Sequence, residues 1–228
     1  MEIVAHRGYG GAFPENTRSA FERAAETADW IELDVQPCRS GDLVVFHDDT
    51  LDRLTEGTGR VAATSLESLR ELEVLNSGEG IPLLSEALSV IPDDTGVQVE
   101  LKDVGIADDA LETLADYGNE ALLISFSPLA VHEVGQIDAT AGTGHILYEG
   151  LYGDAPDLGL DTAELLDCET VHTFYSMGSD PALVSAAHDR GLQVQTAAPE
   201  RRATEAVLET CRTAGVDLLS VDYPPESR

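Results

Sequence analysis

Two closely spaced pairs of charged residues sit inside apolar runs of this chain. Glu32 and Asp34 interrupt Trp30-Ile31-Glu32-Leu33-Asp34-Val35, and Glu100 and Lys102 end Val97-Gln98-Val99-Glu100-Leu101-Lys102. Side chains alternate faces along a strand, so Glu32 and Asp34 share one face about 7 Å apart at roughly 3.3 Å per residue. Ile31, Leu33 and Val35 share the other. Two carboxylates side by side in a half-buried strand are costly unless a cation or a proton sits between them. Trp30 on their face and the apolar opposite face argue against a solvated edge. Lys102 is the only lysine in the chain, a compact charge kept where arginine serves elsewhere. His6 and His47 end two further apolar runs, with Arg7 beside one and Asp48 beside the other. Their ordinary pKa near neutrality suits them to proton exchange.

These groups need elements that bring them together. Strand-like and helix-like segments alternate along nearly the whole chain. Strands are expected at about 2–6, 30–36, 97–102, 121–126, 145–148, 169–174, 192–196 and 216–222, with 43–47 as a neighbouring extended segment after the Ser40-Gly41-Asp42 turn. Between them helices are expected near 17–28, 83–91, 106–117, 128–137, 161–167, 181–190 and 200–213. Asn16 is the candidate N-cap of the first. Thr64 and Glu67 have capping-box spacing ahead of a short helix through Leu75. Residues 48–63 are polar and glycine-containing and read as loop. Strand–helix–strand crossovers imply parallel pairing. Eight such units suggest a closed (β/α)8 TIM barrel formed by residues 1–228 as a single α/β domain. An open doubly wound sheet is the other topology, and no glycine-rich dinucleotide loop follows any strand. In a barrel the working groups sit at the C-terminal strand ends, where His6, Glu32, Asp34, His47, Glu100 and Lys102 all fall.

Composition narrows the function classes. Across 228 residues, Asp and Glu outnumber Lys and Arg by 43 to 13, for a net charge of −30. The excess is spread along the chain with an ordinary apolar fraction, which argues against disorder. Such a surface repels nucleic acid and anionic lipid headgroups, so neither is an expected partner. Acidity with one lysine resembles the surfaces of proteins from salt-loaded, halophilic cytoplasms. At about 1 M salt the Debye length is near 3 Å and the self-repulsion is screened. An acidic mesophilic protein has the same balance. The three cysteines (Cys38, Cys168, Cys211) lack metal-ligand spacing and read as reduced thiols. No apolar run reaches membrane-spanning length, and the first strand follows the N-terminus at once. The expectation is a cytoplasmic protein.

Six fragments carry a family resemblance: His6-Arg7-Gly8, Pro14-Glu15-Asn16-Thr17, Glu32-Leu33-Asp34-Val35, His47-Asp48, Val99-Glu100-Leu101-Lys102 and Asp222-Tyr223-Pro224. In order and approximate spacing the chain resembles the glycerophosphodiester phosphodiesterases over nearly its whole length. The resemblance implies a (β/α)8 barrel that hydrolyses a small-molecule glycerophosphodiester to glycerol phosphate and an alcohol with a divalent cation. It implies that Glu32, Asp34 and Glu100 hold the metal, that Arg7 and Lys102 grip the phosphate, and that His6 and His47 exchange protons. In the family the nucleophile is thought to be the substrate's own glycerol hydroxyl; these residues do not separate that route from direct attack by water.

The residue chemistry agrees. Three carboxylates at one point would carry about −3 and could not all ionise unaided. A hard dication, Mg²⁺ or Ca²⁺, resolves that repulsion and leaves positions for a phosphate oxygen and water. A zinc site using His6 or His47 is an alternative. A phospholipase-type metal phosphodiesterase acting on another lipid headgroup would share the histidines but prefer membrane surfaces. A non-catalytic phosphate-binding barrel would keep Arg7 and Lys102 and tolerate loss of the histidines.

Other candidates read as structural. His132 and His188 fall within helices, and His145 and His172 receive no role. Arg201-Arg202 reads as a solvated helix start, not a phosphate site, and Gly10-Gly11 as a flexible loop. One departure stands out. Where the family often carries Trp-Thr-Val-Asn, an aromatic wall beside the glycerol, this chain has Gln195-Thr196-Ala197-Ala198. The short loop after His47 leaves no room for the insertion domain of some relatives. A broader or different alcohol specificity is the expectation. No residue pattern specifies an oligomeric state.

Overall fold

A computed structural model describes residues 1–225. Eight parallel strands close on themselves: β1 (Glu2–His6), β2 (Trp30–Pro37), β4 (Gly96–Leu101), β5 (Ala121–Ser125), β6 (Gly142–Ile146), β7 (Thr170–Phe174), β8 (Gln193–Ala197) and β9 (Leu218–Val221). The ring is sealed where β1 pairs with β2 on one side and with β9 on the other. A ninth strand, β3 (Leu43–Val45), lies outside the ring as an antiparallel hairpin on the end of β2, with Val35 opposite Val45. The extended segment at 43–47 is therefore a neighbour of β2, and His47 is delivered by a hairpin arm.

The helices that cover the ring are α1 (Arg18–Ala24), α2 (Leu66–Leu69), α3 (Leu84–Leu88), α4 (Ala107–Leu114), α5 (Pro128–Ile137), α6 (Glu149–Tyr152), α7 (Pro156–Leu165), α8 (Tyr175–Gly178), α9 (Pro181–His188) and α10 (Glu205–Ala214). Two helices open on a side-chain cap followed by proline. Ser127 accepts from the Ala130 amide ahead of Pro128, and Asp180 accepts from the Ala182 amide ahead of Pro181.

Several boundaries differ from expectation, each for a local reason. Thr17, not Asn16, caps α1, its hydroxyl accepting from the Ala20 amide at 3.3 Å. Asn16 is instead left-handed, at φ 58°. Ser65, not Thr64, caps α2, which ends by Leu69; the chain then turns through left-handed Leu75 and Asn76. The expected helix over 200–213 is split. Glu200 and Arg201 are both left-handed, and α10 begins only after Thr204, whose hydroxyl accepts from Val207. Strand β6 starts earlier than expected: two of its first three residues, Gly142 and Gly144, are glycines, which are depleted in strands and mask its beginning. The space over Gly144 is taken by the Thr170 and His172 side chains of β7.

Two packed regions support the site. Outside the ring, Ile31, Leu33, Val35, Val97, Val99 and Leu101 are buried against the helices. The segment after His47 is more ordered than a polar loop: Leu51, Leu54, Val61, Leu69 and Val74 are buried with Val44 and Phe46 in a smaller core. Inside the ring, Val4, Trp30, Leu122 and Leu218 fill the N-terminal end. The Trp30 indole donates to Glu2 at 2.8 Å and lies over Gly96. Above this floor the Gln98 amide donates to Gln195 across the ring at 2.7 Å. Polar residues then occupy the C-terminal mouth.

A methyl group at Gly96 would overlap the Trp30 ring. The variant Gly96→Ala is expected to lose about 1–3 kcal/mol of stability through overpacking. Urea unfolding of this variant, with and without Trp30→Leu, checks the origin: the second change should recover part of the loss.

Candidate active site

The loop after β1 starts the site. Arg7, Gly8 and Tyr9 are all left-handed, and a Cβ at Gly8 (φ 70°) would press on Phe21 at 2.9 Å. This tight turn lifts the Arg7 amide over the mouth, where it donates to Glu32 Oε2 at 2.9 Å. Strand register places Glu32 beside His6, and Asp34 beside Glu100. Carboxylate oxygens of Glu32, Asp34 and Glu100 lie within 4.8 Å of one another, and all three residues are buried.

The surroundings treat these acids unequally. Burial, then Asp34 and Glu100, push Glu32 well above the usual carboxyl range. Burial and Asp34 raise Glu100 to about 7, with Lys102 opposing. Burial also works against an ionised Asp34, but Arg7 and Lys102 outweigh it and hold the group below its ordinary value. Lys102 Nζ stands 2.8 Å from Glu100 and 3.5 Å from Asp34; Arg7 Nε stands 3.3 Å from Asp34. Asn16 adds a 2.8 Å bond from its amide to Asp34 Oδ2, which explains its left-handed backbone. Among the described residues, buried Glu32 Oε1 and Asp34 Oδ1 accept no hydrogen bond, Oδ1 meeting Lys102 only as the 3.5 Å ion pair. Orphaned acceptors on crowded carboxylates have the chemistry of a set built for a hard divalent cation.

Both histidines are anchored through Nδ1, His6 to Asp222 Oδ1 at 2.7 Å and His47 to Asp48 Oδ1 at 2.6 Å. Burial lowers the His6 pKa to about 4, helped by Arg201 and Arg7 and opposed by Asp222. Burial likewise lowers His47. Anchoring one ring nitrogen fixes the plane of an imidazole and leaves the other free for the cavity. Both rings line a cavity of about 200 Å³ together with Arg7, Glu32, Glu100 and Arg201. Ile124, Phe126, Ile146 and Phe174 supply its apolar walls. A larger hollow of about 580 Å³ near Met1, Arg202 and Tyr223 lies away from the carboxylates.

The seven residues singled out in the sequence thus meet at one mouth. Others were missed. Arg53 donates to both oxygens of Glu15 at 2.8 Å and to Asp48 at 2.6 Å, while Arg7 donates to Glu15 at 2.9 Å. A charge chain runs His47–Asp48–Arg53–Glu15–Arg7–Asp34. Glu15 and Asn16 lay in a recognised fragment, but nothing around Arg53 marks it. Arg201 is not a solvated helix start: it lines the cavity and donates to Ser220 Oγ at 3.1 Å. Arg202 turns away and stacks on Tyr223. Gly10-Gly11 is packed, since a Cβ at Gly11 would strike the Tyr223 ring. His172 also faces the cavity, bonded to Thr170 at 2.9 Å, and burial drives its pKa down to about 3. His145 is tied between Ser125 and Tyr152.

Burial opposes the Glu15 carboxylate, and Arg53 and Arg7 override it, so its pKa lies below the ordinary value. Its contribution to stability is therefore present above the unfolded pKa of about 4 and fades as pH falls through the lower folded value. The variant Glu15→Gln is expected to lose about 1–3 kcal/mol near pH 7. In urea unfolding the gap from the parent should narrow near pH 3.

The comparisons with known proteins give the family. Residues 6–226 match the model of the "Glycerophosphoryl diester phosphodiesterase family". A glycerophosphodiester phosphodiesterase of Caldanaerobacter subterraneus subsp. tengcongensis is 32% identical over 97% of this chain and 94% of its own. One from Bacillus altitudinis is 30% identical over 98% and 95%. Among solved structures, an Oleispira antarctica phosphodiesterase in complex with the product sn-glycerol-3-phosphate superposes with a TM-score of 0.86 at 28% identity, covering 98% of this chain and 94% of that one. A glycerophosphodiester phosphodiesterase from Agrobacterium tumefaciens gives 0.83 at 27% identity, with coverage of 98% and 97%. No helix among the described residues is long and apolar enough to cross a membrane. The chain belongs to the glycerophosphoryl diester phosphodiesterase family and is, with it, a phosphoric diester hydrolase.

Proposed function

We propose that this protein hydrolyses small glycerophosphodiesters to glycerol phosphate and an alcohol in a metal-dependent reaction, with His6 and His47 exchanging the protons. The observation that carries the reading is the meeting of Glu32, Asp34 and Glu100, two of them with orphaned buried oxygens, beside two histidines each oriented by a carboxylate. Glu32, Asp34 and Glu100 would hold Mg²⁺ or Ca²⁺. When bound, a dication polarises a phosphoryl oxygen and offsets the charge that grows there.

The chain's own groups do the rest. Arg7 and Lys102 flank the carboxylates and would bind the diester oxygens, stabilising the added negative charge more than the ground state. One imidazole takes the proton from the attacking hydroxyl as its oxygen bonds to phosphorus. The other gives a proton to the departing alkoxide as the second P–O bond breaks. Fixed Nδ1 anchors aim both Nε2 atoms at the cavity, so little reorientation is needed. Gln195 stands where the family resemblance placed an aromatic, and its amide oxygen is taken by Gln98. Phe126, Ile146 and Phe174 supply apolar contact instead, which supports a tolerant pocket for the alcohol. The three cysteines are buried and free, in keeping with a reducing cytoplasm.

Two measurements test this. Equilibrium dialysis with Mg²⁺ or Ca²⁺ should show one bound ion in the parent and none in Asp34→Asn. His6→Ala and His47→Ala should each lower kcat on glycerophosphocholine by about 10²–10⁴-fold while glycerol phosphate still binds. Unchanged turnover in both histidine variants would remove the proton-exchange assignment.

A further inference from the structure

Arg201 is the charged member of the cavity wall that the reading above does not use. It follows β8, just past Ala197, while Lys102 follows β4. In the closed strand order these two strands stand on opposite sides of the ring, as the Gln98–Gln195 bond across the interior shows. The two cations therefore face each other over the mouth. The Arg201 side chain is held in place: Nη1 donates to Ser220 Oγ, its amide donates to Ala198, and its carbonyl accepts from the Asp222 amide at 2.8 Å. That last bond joins it to the segment that orients His6. Its own left-handed backbone, and that of Glu200 before it, aim the side chain at the cavity at the expense of local strain.

Its electrostatic situation differs from that of the other cations. Acids outnumber bases 43 to 13, and Arg7, Arg53, Arg70, Lys102 and Arg190 each have a carboxylate within 4.0 Å. The other described arginines that make no ion pair are exposed, whereas Arg201 makes none and is half-buried. It lines the same cavity as Arg7, a like charge. Two guanidinium groups facing one small cavity repel each other, and an anion placed between them removes the repulsion. Arg7 and Lys102 are already engaged by Glu15, Asp34 and Glu100. Arg201 is the guanidinium of the mouth with no carboxylate within ion-pair distance among the described residues, its one side-chain bond going to the neutral Ser220 hydroxyl.

We propose that Arg201 is a third phosphoryl-binding cation, gripping a non-bridging diester oxygen from the His6 side while Lys102 holds the opposite side. The proposal rests on the phosphodiesterase reading of the site. A contact with the phosphoryl group, unlike one with the alcohol, acts on every substrate alike.

The test uses the whole protein loaded with Mg²⁺ or Ca²⁺. Arg201→Gln should lower kcat/KM about 10²-fold on glycerophosphocholine and on glycerophosphoglycerol alike. It should also weaken inhibition by glycerol 3-phosphate at least tenfold. Arg201→Lys should recover part of both. In the unsubstituted protein, glycerol 3-phosphate and inorganic phosphate should each protect Arg201 from butanedione, read by peptide mass mapping. This readout stands even where the variants do not fold. A kcat/KM within twofold of the parent, a loss confined to one leaving alcohol, or modification unaffected by either anion would overturn the proposal. A parent protein that hydrolyses no glycerophosphodiester would instead remove the functional reading, whereas protection by inorganic phosphate would still place an anion at Arg201.

Discussion

The structure turns on a confined electrostatic conflict. Three acids, Glu32, Asp34 and Glu100, are forced close together by strand register inside a closed sheet where water cannot separate their charges. The conflict is not relieved by spacing, because neighbouring strands fix where each side chain emerges. It is met by cations on the rim and by protons, and it divides the acids. Asp34, touched by Arg7, Lys102 and Asn16, is held as an anion. Glu32 and Glu100 are pushed toward their neutral forms. That is a resting arrangement for a place prepared to receive positive charge.

The loops after β1 and β3 support that arrangement. The left-handed turn at Arg7 places both an amide and a guanidinium over the acids. Asn16 takes a conformation that few residues adopt in order to reach Asp34 from below the turn. Glu15 ties Arg7 to Arg53, and Arg53 ties both to the carboxylate behind His47. The hairpin arm that delivers His47 is thereby fastened to the barrel through ion pairs as well as through its own small core around Phe46 and Leu54. Distances in the site are set by packing and charge together.

Much of this was legible in the sequence, for a definable reason. The period of two in Glu32/Asp34 and Glu100/Lys102 declares a shared face wherever the strands run, and an alternation of strands and helices leaves few topologies for eight such units. What was hidden depended on contacts between distant segments. Nothing local distinguishes Arg53 from a surface arginine, because its value comes from Glu15, far off in the chain. Arg201 sat in a polar stretch that resembles a helix start, and only the consecutive left-handed residues, imposed by the approach of Asp222, turn it inward. Asn16 and Thr17 are both good caps, and the choice between them was made by Asp34. Strand β6 hid behind two glycines, of which Gly144 leaves room for the Thr170 and His172 side chains of β7 and Gly142 for Leu122 of β5.

The bond between His6 and Asp222 joins the first strand of the ring to the segment just after the last. A polypeptide made only as far as β8 already contains every acid of the triad and both imidazoles, yet its His6 ring has nothing to set its plane. The orientation of His6 is thus a product of ring closure, since its partner arrives only with the segment that follows the last strand.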